Sequence, residues 1–109
     1  DQGANINARD EAGNTPLLRL SVSYRKPCHQ DMAKFLISKG ADLDASDEHG
    51  NTPLLQVCHY GGDDMAKLLI SNGANVNAKD KNNGTCLYWA SRWGHTEIVD
   101  MLKAAGAKE

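Results

Sequence analysis

The sequence predicts an all-α fold, a solenoid of stacked helix-turn-helix units joined by β-hairpin fingers.

The first observation is an internal repeat: residues 13–18 (GNTPLL) return as residues 50–55, and in weaker form as residues 83–88 (NGTCLY). The second is that residues 31–38 (DMAKFLIS) return as residues 64–71 (DMAKLLIS). A unit this short cannot bury its apolar face alone, so the units must stack on one another and leave a long surface for a partner.

A threonine marks the start of the first helix in each unit. Thr15 and Thr52 are placed to accept an otherwise unpaired backbone N–H at a helix start. Pro16 and Pro53 follow at the first helical position, where the missing N–H costs nothing. In the third unit Cys86 replaces proline, which specifies that helix start less rigidly. We expect first helices over residues 16–23, 53–60 and 86–93.

The second helix of each unit carries an apolar stripe. Met65, Leu68 and Leu69 have the three-to-four spacing of a helix that packs on one side. A glycine then ends the helix in a left-handed conformation. We expect second helices over residues 30–38, 63–71 and 96–104, ended by Gly40, Gly73 and Gly106. The segments after these glycines read as extended hairpins, or fingers, that lead into the next unit.

The chain of 109 residues forms one domain in this interpretation. The second and third units are 33 residues apart, but the first is 37 residues long, with the four extra residues lying within residues 24–30. Insertions in solenoids fall in loops, and a tolerated surface loop is the interpretation we favour. We expect a piece of a longer array that retains its C-terminal edge. The predicted segments are residues 1–9 (the finger of a preceding unit), 10–46 (repeat 1 with the insertion), 47–79 (repeat 2) and 80–109 (repeat 3).

The repeated pattern resembles the ankyrin repeat. The resemblance rests on Thr-Pro-Leu before a short helix, a second helix ending in Leu-Leu or Leu-Ile, and then Gly-Ala-x-x-Asn/Asp-Ala. It covers essentially the whole chain. The family pattern has a histidine after Thr-Pro-Leu, whereas Leu18, Leu55 and Tyr88 stand there in this sequence. These units should therefore rely more on apolar packing than on a histidine network.

Composition excludes several classes of protein. A net charge of −2 and a pI near 6.1 give no global field that would drive binding to nucleic acid or a membrane surface. No apolar run approaches the ~20 residues of a membrane span. The three cysteines, Cys28, Cys58 and Cys86, have no framework spacing and fit a reducing compartment, the cytosol or the nucleus. The glycosylation sequon at residues 83–85 carries less weight than these thiols.

No catalytic set is recognisable in the sequence. No serine, histidine and aspartate lie in a nucleophile-elbow context, and no phosphate-binding loop occurs. The zinc-type ligands Cys28, His29, Cys58, His59, Cys86 and His95 lack a Cys-x-x-Cys or His-x-x-x-His spacing. We expect Cys58 to fill the core, and we expect no enzyme activity, no metal and no cofactor.

The resemblance implies a concave groove, lined by the fingers and the first helices, with the second helices as its outer wall. Carried over to this sequence, the partner-binding positions are Arg9, Glu11, Asn14, Arg19, Ser46, Glu48, His49, Asn51, Gln56, His59, Tyr60, Lys79, Lys81, Trp89, Arg92 and Trp93. Ala12, Val22, Ser23 and Asn82 lie beside them.

Both tryptophans fall in one predicted helix. Trp89 and Trp93 are four residues apart and therefore share a face, and tryptophan is a residue type that dominates binding hot spots. Aromatic stripes at helical spacing usually pack in a core. However, Arg19 and Gln56 occupy the slot of Trp89 in the other units, which favours a solvated location. We expect at least one exposed tryptophan.

The predicted function is that of a non-enzymatic, monomeric module that binds a protein or peptide in the groove. Lys79, Lys81 and Arg92 gather beside the tryptophans and favour an acidic or aromatic-compatible segment of the partner. One alternative is a structural or autoregulatory segment of a larger enzyme or channel. Another is nucleotide or oligonucleotide capture, with Trp89 and Trp93 as stacking plates.

The resemblance also implies a modification site. Asn77 follows Leu69 and Val76 in a finger context similar to sites that asparaginyl hydroxylases modify in ankyrin proteins. The plainer interpretation is that Asn77 supports the turn.

Overall fold

The computed structural model describes residues 7–11, 13–21 and 27–107. The expectations for residues 1–6, Ala12, residues 22–26 and residues 108–109 lie outside the described residues. The helices of the described part are α1 (Pro16–Ser21), α2 (Pro27–Ser38), α3 (Pro53–Tyr60), α4 (Asp63–Ser71), α5 (Cys86–Arg92) and α6 (Thr96–Ala104).

The helices form two layers. In the first layer α3 packs between α1 and α5, and in the second α4 packs between α2 and α6. Within each unit the two helices also pack against each other, so each unit contacts its neighbours in both layers. The result is elongated, with extents of 41 × 27 × 22 Å. This is the all-α solenoid that the sequence predicts.

The fingers are turns. In the second finger, the N–H of Gly50 donates to the carbonyl of Asp47 and the N–H of Asp47 donates to the carbonyl of Asn51, both at 3.0 Å. The β pairing within the described residues is a single isolated bridge, Lys79 with Thr85. The predicted hairpins are therefore closed by turn hydrogen bonds, without paired strands in the described part of the chain.

Threonine caps the first helix of each unit, as predicted. Thr15, Thr52 and Thr85 each accept the backbone N–H three residues on, at 3.2, 3.3 and 3.0 Å. α5 begins at Cys86 without a proline, because the threonine cap alone satisfies an exposed N–H of the first turn. α5 ends at Arg92, one residue before the predicted end, and Trp93 is its C-cap.

The observed start of α2 differs from the prediction. α4 and α6 have the predicted bounds and nine residues each, but α2 has twelve residues and begins at Pro27. The predicted start at Gln30 is wrong because proline is well suited to the first position of a helix. Three of the four inserted residues therefore lengthen α2 instead of a loop.

Each second helix ends at a left-handed glycine. Gly40, Gly73 and Gly106 have φ values of 94°, 94° and 91°. The N–H of the alanine that follows each glycine bonds back to a carbonyl of the last helical turn, at 2.9–3.0 Å. This arrangement satisfies backbone groups that a helix end would otherwise leave unpaired, and it turns the chain into the finger.

One apolar core runs through the stack. Leu54, Leu55 and Leu69 are fully buried in the middle unit, and Leu18 is 1% exposed in the first. Leu18 and Leu55 stand where the family pattern has histidine, so apolar packing does replace a polar network there. Cys58 is also fully buried and fills the core as predicted.

Candidate functional site

A carboxylate organises each finger. Oδ1 of Asp47 accepts the backbone N–H groups of His49 and Asn51, at 2.8 and 3.0 Å. Oδ1 of Asp80 accepts the N–H groups of Asn82 and Gly84, at 2.9 and 2.8 Å. The side chain therefore holds the turn in one conformation and presents the tip of the finger to solvent.

The second oxygen of each carboxylate binds a side chain nine residues later. Oδ2 of Asp47 accepts from Gln56 Nε2 at 2.9 Å, and Oδ2 of Asp80 accepts from Trp89 Nε1 at 3.0 Å. The equivalent donor in the first unit is Arg19, which forms an ion pair with Asp10. The slot shared by these three donors joins the first helix to its finger.

This pairing corrects the expectation that the slot of Gln56 and Trp89 is solvated. Gln56 is buried, and Trp89 is half-buried, because each side chain turns inward to reach its carboxylate. Sequence reasoning took the polar residues of this slot as a sign of a solvated surface. A signal was available: in every unit an aspartate precedes a side-chain N–H donor by nine residues.

Trp89 is the centre of an aromatic cluster. The ring centroid of His59 lies 4.2 Å from that of Trp89, and Tyr88 contacts Trp89 edge-on at 4.9 Å. His95 Nε2 lies 3.3 Å from the carbonyl oxygen of His59. The cluster therefore links the second unit to the third through side chains.

The environment of the cluster shifts the pKa values of His59 and Asp80. Burial lowers the pKa of His59, although the nearby Asp80 carboxylate acts in the opposite direction. For Asp80, burial raises the pKa, but hydrogen bonds from Gly84, Trp89 and Asn82 outweigh it, and the net pKa lies below its ordinary value. Near neutral pH a neutral imidazole therefore stacks on Trp89 beside an ionised carboxylate.

Two exposed aromatic residues occupy equivalent positions of neighbouring units. Tyr60 is 49% exposed and Trp93, 33 residues later, is 54% exposed. The guanidinium of Arg92 lies over the Trp93 ring, 5.6 Å from its centroid. The exposure of Trp93 agrees with the expectation of at least one exposed tryptophan.

The remaining predicted positions differ in accessibility. The guanidinium of Arg9 donates to the carbonyls of Gly13 and Ser46. These hydrogen bonds connect the first two fingers. Oδ1 of Asn51 is buried, so this side chain is less available than expected. The other finger and helix positions divide into exposed (Glu11, Arg19, Glu48, His49, Lys79, Lys81 and Arg92) and half-buried (Asn14, Ser46 and His59).

A family model described as ankyrin repeats (3 copies) matches residues 28–109, which are 82 of the 109 residues. The chain belongs to the ankyrin repeat family. A search of curated proteins finds no match to it. Ankyrin repeats are generally protein–protein interaction modules, and the family is typically non-enzymatic.

Backbone donors connect successive ankyrin repeats. Oδ1 of Asn7 accepts the N–H of Asp42 at 2.7 Å, and Oδ1 of Asp44 accepts the N–H of Asn75 at 3.0 Å. Asn77 occupies the equivalent position one unit later, where it is exposed. Its own N–H donates to Asn75 Oδ1 at 2.9 Å, which supports the turn.

Two thiols of the ankyrin core are chemically protected. Cys58 and Cys86 are free and fully buried. A hydrogen bond with the Cys86 thiol and burial both raise the pKa of Cys58, so its reactive thiolate form is strongly disfavoured. Across the described ranges, no cluster of three histidine, cysteine, aspartate or glutamate side chains is arranged to hold a metal ion. Within the same ranges, no helix has both the length and the apolar character needed to cross a bilayer.

Proposed function

We propose that this ankyrin repeat chain is a non-enzymatic, monomeric module that binds a protein or peptide across the concave surface of its fingers and first helices. The observation that carries the proposal is the pair Tyr60 and Trp93. They repeat at equivalent positions, and each leaves about half of its side chain exposed. Tyrosine and tryptophan are residue types that supply much of the energy in protein interfaces.

The charges beside this pair favour an acidic partner segment. Lys79 and Lys81 are exposed on the third finger, and Arg92 lies over Trp93. A carboxylate of the partner that approaches Trp93 would meet Arg92, and one that lies along the third finger would meet the two lysines. Rim charges of this kind raise the rate of association more than they raise affinity.

Trp89 argues against capture of nucleotides. Its ring already contacts His59 and Tyr88, and its N–H is donated to Asp80. His59 therefore already covers part of the indole surface on which a base would stack. Of the two predicted stacking plates, Trp93 alone is largely exposed, so a protein partner fits the surface better.

The cysteines support a reducing compartment. Cys58 and Cys86 are free thiols in the core, and such thiols are typical of proteins of the cytosol and the nucleus. We therefore propose that the module meets its partner in one of these two compartments.

A capture experiment tests the groove. The immobilised chain is exposed to cell extract, captured proteins are identified by mass spectrometry, and each candidate is then produced in pure form for affinity measurement. Tyr60→Ala and Trp93→Ala should each weaken binding of the true partner by more than about tenfold, the effect of losing a hot-spot residue. Phe35→Ala is the matched control, because Phe35 is also 54% exposed but lies on the second-helix layer.

The outcomes separate the two surfaces. Loss of affinity in the Tyr60 and Trp93 variants, with the Phe35 variant unaffected, supports the groove. A partner whose binding depends on Phe35 and not on Tyr60 or Trp93 would overturn the proposal. Circular dichroism of each variant establishes that the fold is retained.

A further inference from the structure

A cavity of about 640 Å³ lies beside α5 and α6. It is lined by residues of the third finger, of α5 and of α6. The side chains that matter for its chemistry are Asn83, Tyr88, Ser91, Arg92 and Lys103. Its volume is within the range of about 300–1,000 Å³ that is typical of ligand pockets.

The cavity is built from residues in which the third unit differs from the second. Thirty-three residues earlier, the equivalents of the five side chains are Gly50, Leu55, Cys58, His59 and Ile70. Leu55 and Cys58 are fully buried between units, whereas Tyr88 is 51% exposed and Ser91 is exposed. Apolar contacts of the second unit are thus replaced by a polar and cationic wall in the third.

The replacement of Gly50 in the second unit by Asn83 in the third is coupled to Trp89. The second unit has Gly50 in the left-handed conformation, followed by Asn51, but the third has Asn83 at φ 65°, followed by Gly84. A Cβ atom at Gly84 would lie 2.3 Å from Trp89 Nε1. Any larger residue at position 84 would therefore displace the Trp89 side chain or the Asp80 carboxylate.

The asparagine occupies the preceding position instead. Asparagine tolerates the left-handed conformation better than most residues other than glycine. The result is an exposed amide side chain, that of Asn83, at the wall of the cavity, where the second unit has only a glycine hydrogen.

The lining favours an anion. Among the described residues, Arg92 and Lys103 are its two charged side chains, and none of the lining residues is acidic. Within the described part of the chain, neither cation lies within ion-pair distance of a carboxylate. Tyr88, Ser91 and Asn83 add hydroxyl and amide donors. Carboxylate oxygens, which only accept hydrogen bonds, complement this set of donors.

We propose that this cavity binds an acidic segment of a protein partner, with a carboxylate between Arg92 and Lys103 and an apolar side chain against Tyr88. The inference rests on the proposed function, because Arg92 belongs to both surfaces and a segment that leaves the groove at Trp93 can continue into the cavity. Of the five side chains named for the chemistry of the cavity, four lie outside the predicted groove, so the two surfaces can be tested separately.

The test is a titration followed by amide resonances of the ¹⁵N-labelled chain. The probe is a blocked peptide of sequence EELEEL, and its matched control is QQLQQL. We expect EELEEL to shift the resonances of Asn83, Tyr88, Ser91 and Lys103 saturably, and we expect QQLQQL to leave them unchanged. Raising the salt concentration from about 50 to about 200 mM should weaken the binding, because screening reduces attraction between exposed charges.

Variants test the two cations. The double variant Arg92→Gln/Lys103→Gln should weaken EELEEL binding on the order of tenfold, as expected for two partly exposed charge contacts. Lys67→Gln is the control, since it removes an exposed lysine from α4 and leaves the cavity intact.

Three results would overturn the proposal. The first is binding that does not depend on charge: EELEEL and QQLQQL bind equally, or the double variant binds EELEEL as tightly as the parent chain does. The second is a shift of the same resonances by inorganic phosphate but not by EELEEL, which would assign the cavity to phosphate. The third is the absence of any peptide-dependent shift. The titration needs no groove partner, so its failure and the failure of the capture experiment are separate results.

Discussion

The imidazole of His59 lies against the indole of Trp89, with 4.2 Å between the ring centroids. This contact joins the first helix of the second unit to that of the third. Burial lowers the pKa of His59, and the opposing effect of Asp80 is smaller. The junction between the two units therefore contains a histidine whose protonation is disfavoured in the folded chain.

The chain should lose stability as the pH falls from about 7.5 to about 5.5. The pKa of His59 is lower in the folded chain than its ordinary value of 6.5, so the unfolded chain binds this proton more readily. The stabilisation is complete above the ordinary pKa and is lost as the pH falls through it towards the folded value. Asp80 remains ionised in this range because its own pKa is lowered, and the ring of His95 contacts the backbone carbonyl of His59 and not its imidazole.

Thermal unfolding at several pH values measures this effect. His59→Phe keeps an aromatic ring on Trp89 but cannot titrate, so its melting temperature should depend less on pH than that of the parent chain. His49→Gln is the control, because His49 is exposed on a finger. Equal pH dependence in the His59 variant and the parent chain would rule out this role.

Trp89→Phe should destabilise the fold by about 1–2 kcal/mol, the net value of a hydrogen bond to a charged group that is partly exposed. Phenylalanine keeps most of the ring but leaves Asp80 Oδ2 without the indole donor. Urea unfolding gives the free energy. Trp93→Phe is the matched control and should change stability by less than about 0.5 kcal/mol. Similar losses in the two variants would show that the Asp80 bond contributes little.

Gly84→Asn should destabilise the chain by about 1–3 kcal/mol, because the new Cβ overlaps Trp89 Nε1. Adding Asn83→Gly and Trp89→Gln to this variant rebuilds the arrangement of the second unit, with Gly50, Asn51 and Gln56 as its template. The triple variant should therefore regain a substantial part of the loss in urea unfolding. If it is no more stable than Gly84→Asn alone, the three positions are not coupled in the way described.

Cys58 and Cys86 should resist alkylation in the folded chain. Both are fully buried, and the pKa of Cys58 is raised, so iodoacetamide should modify them at least about a hundredfold more slowly than in the chain unfolded in guanidinium. Mass spectrometry of digested samples taken over time measures each site. Rapid modification of both thiols under native conditions would contradict the close packing of α3 on α5.

Most of the fold could be predicted because local signals and the repeat agree. Thr52 and Pro53 mark the start of α3, Gly73 marks the end of α4, and the 33-residue period carries the threonine and the glycine to the third unit. The start of α2 was harder to predict. Pro27 is compatible both with a loop and with the first position of a helix, and the repeat has no equivalent residue there to decide between them.

The candidate site could be predicted only in part. The sequence indicated that at least one tryptophan is exposed, which Trp93 satisfies, but it placed Gln56 and Trp89 on an open surface. Their burial depends on the finger folding back until Asp47 and Asp80 reach residues nine positions later. That contact is set by the geometry of the turn, which helical periodicity alone does not describe.

The hydrogen bonds between neighbouring fingers explain how such an array can change its length. Asn7 and Asp44 bond to backbone N–H groups of the following unit, and a backbone N–H is present whatever side chain occupies that position, proline excepted. Duplication or deletion of one whole repeat by genetic recombination therefore preserves these side-chain to backbone hydrogen bonds, while the tips of the fingers remain free to diversify.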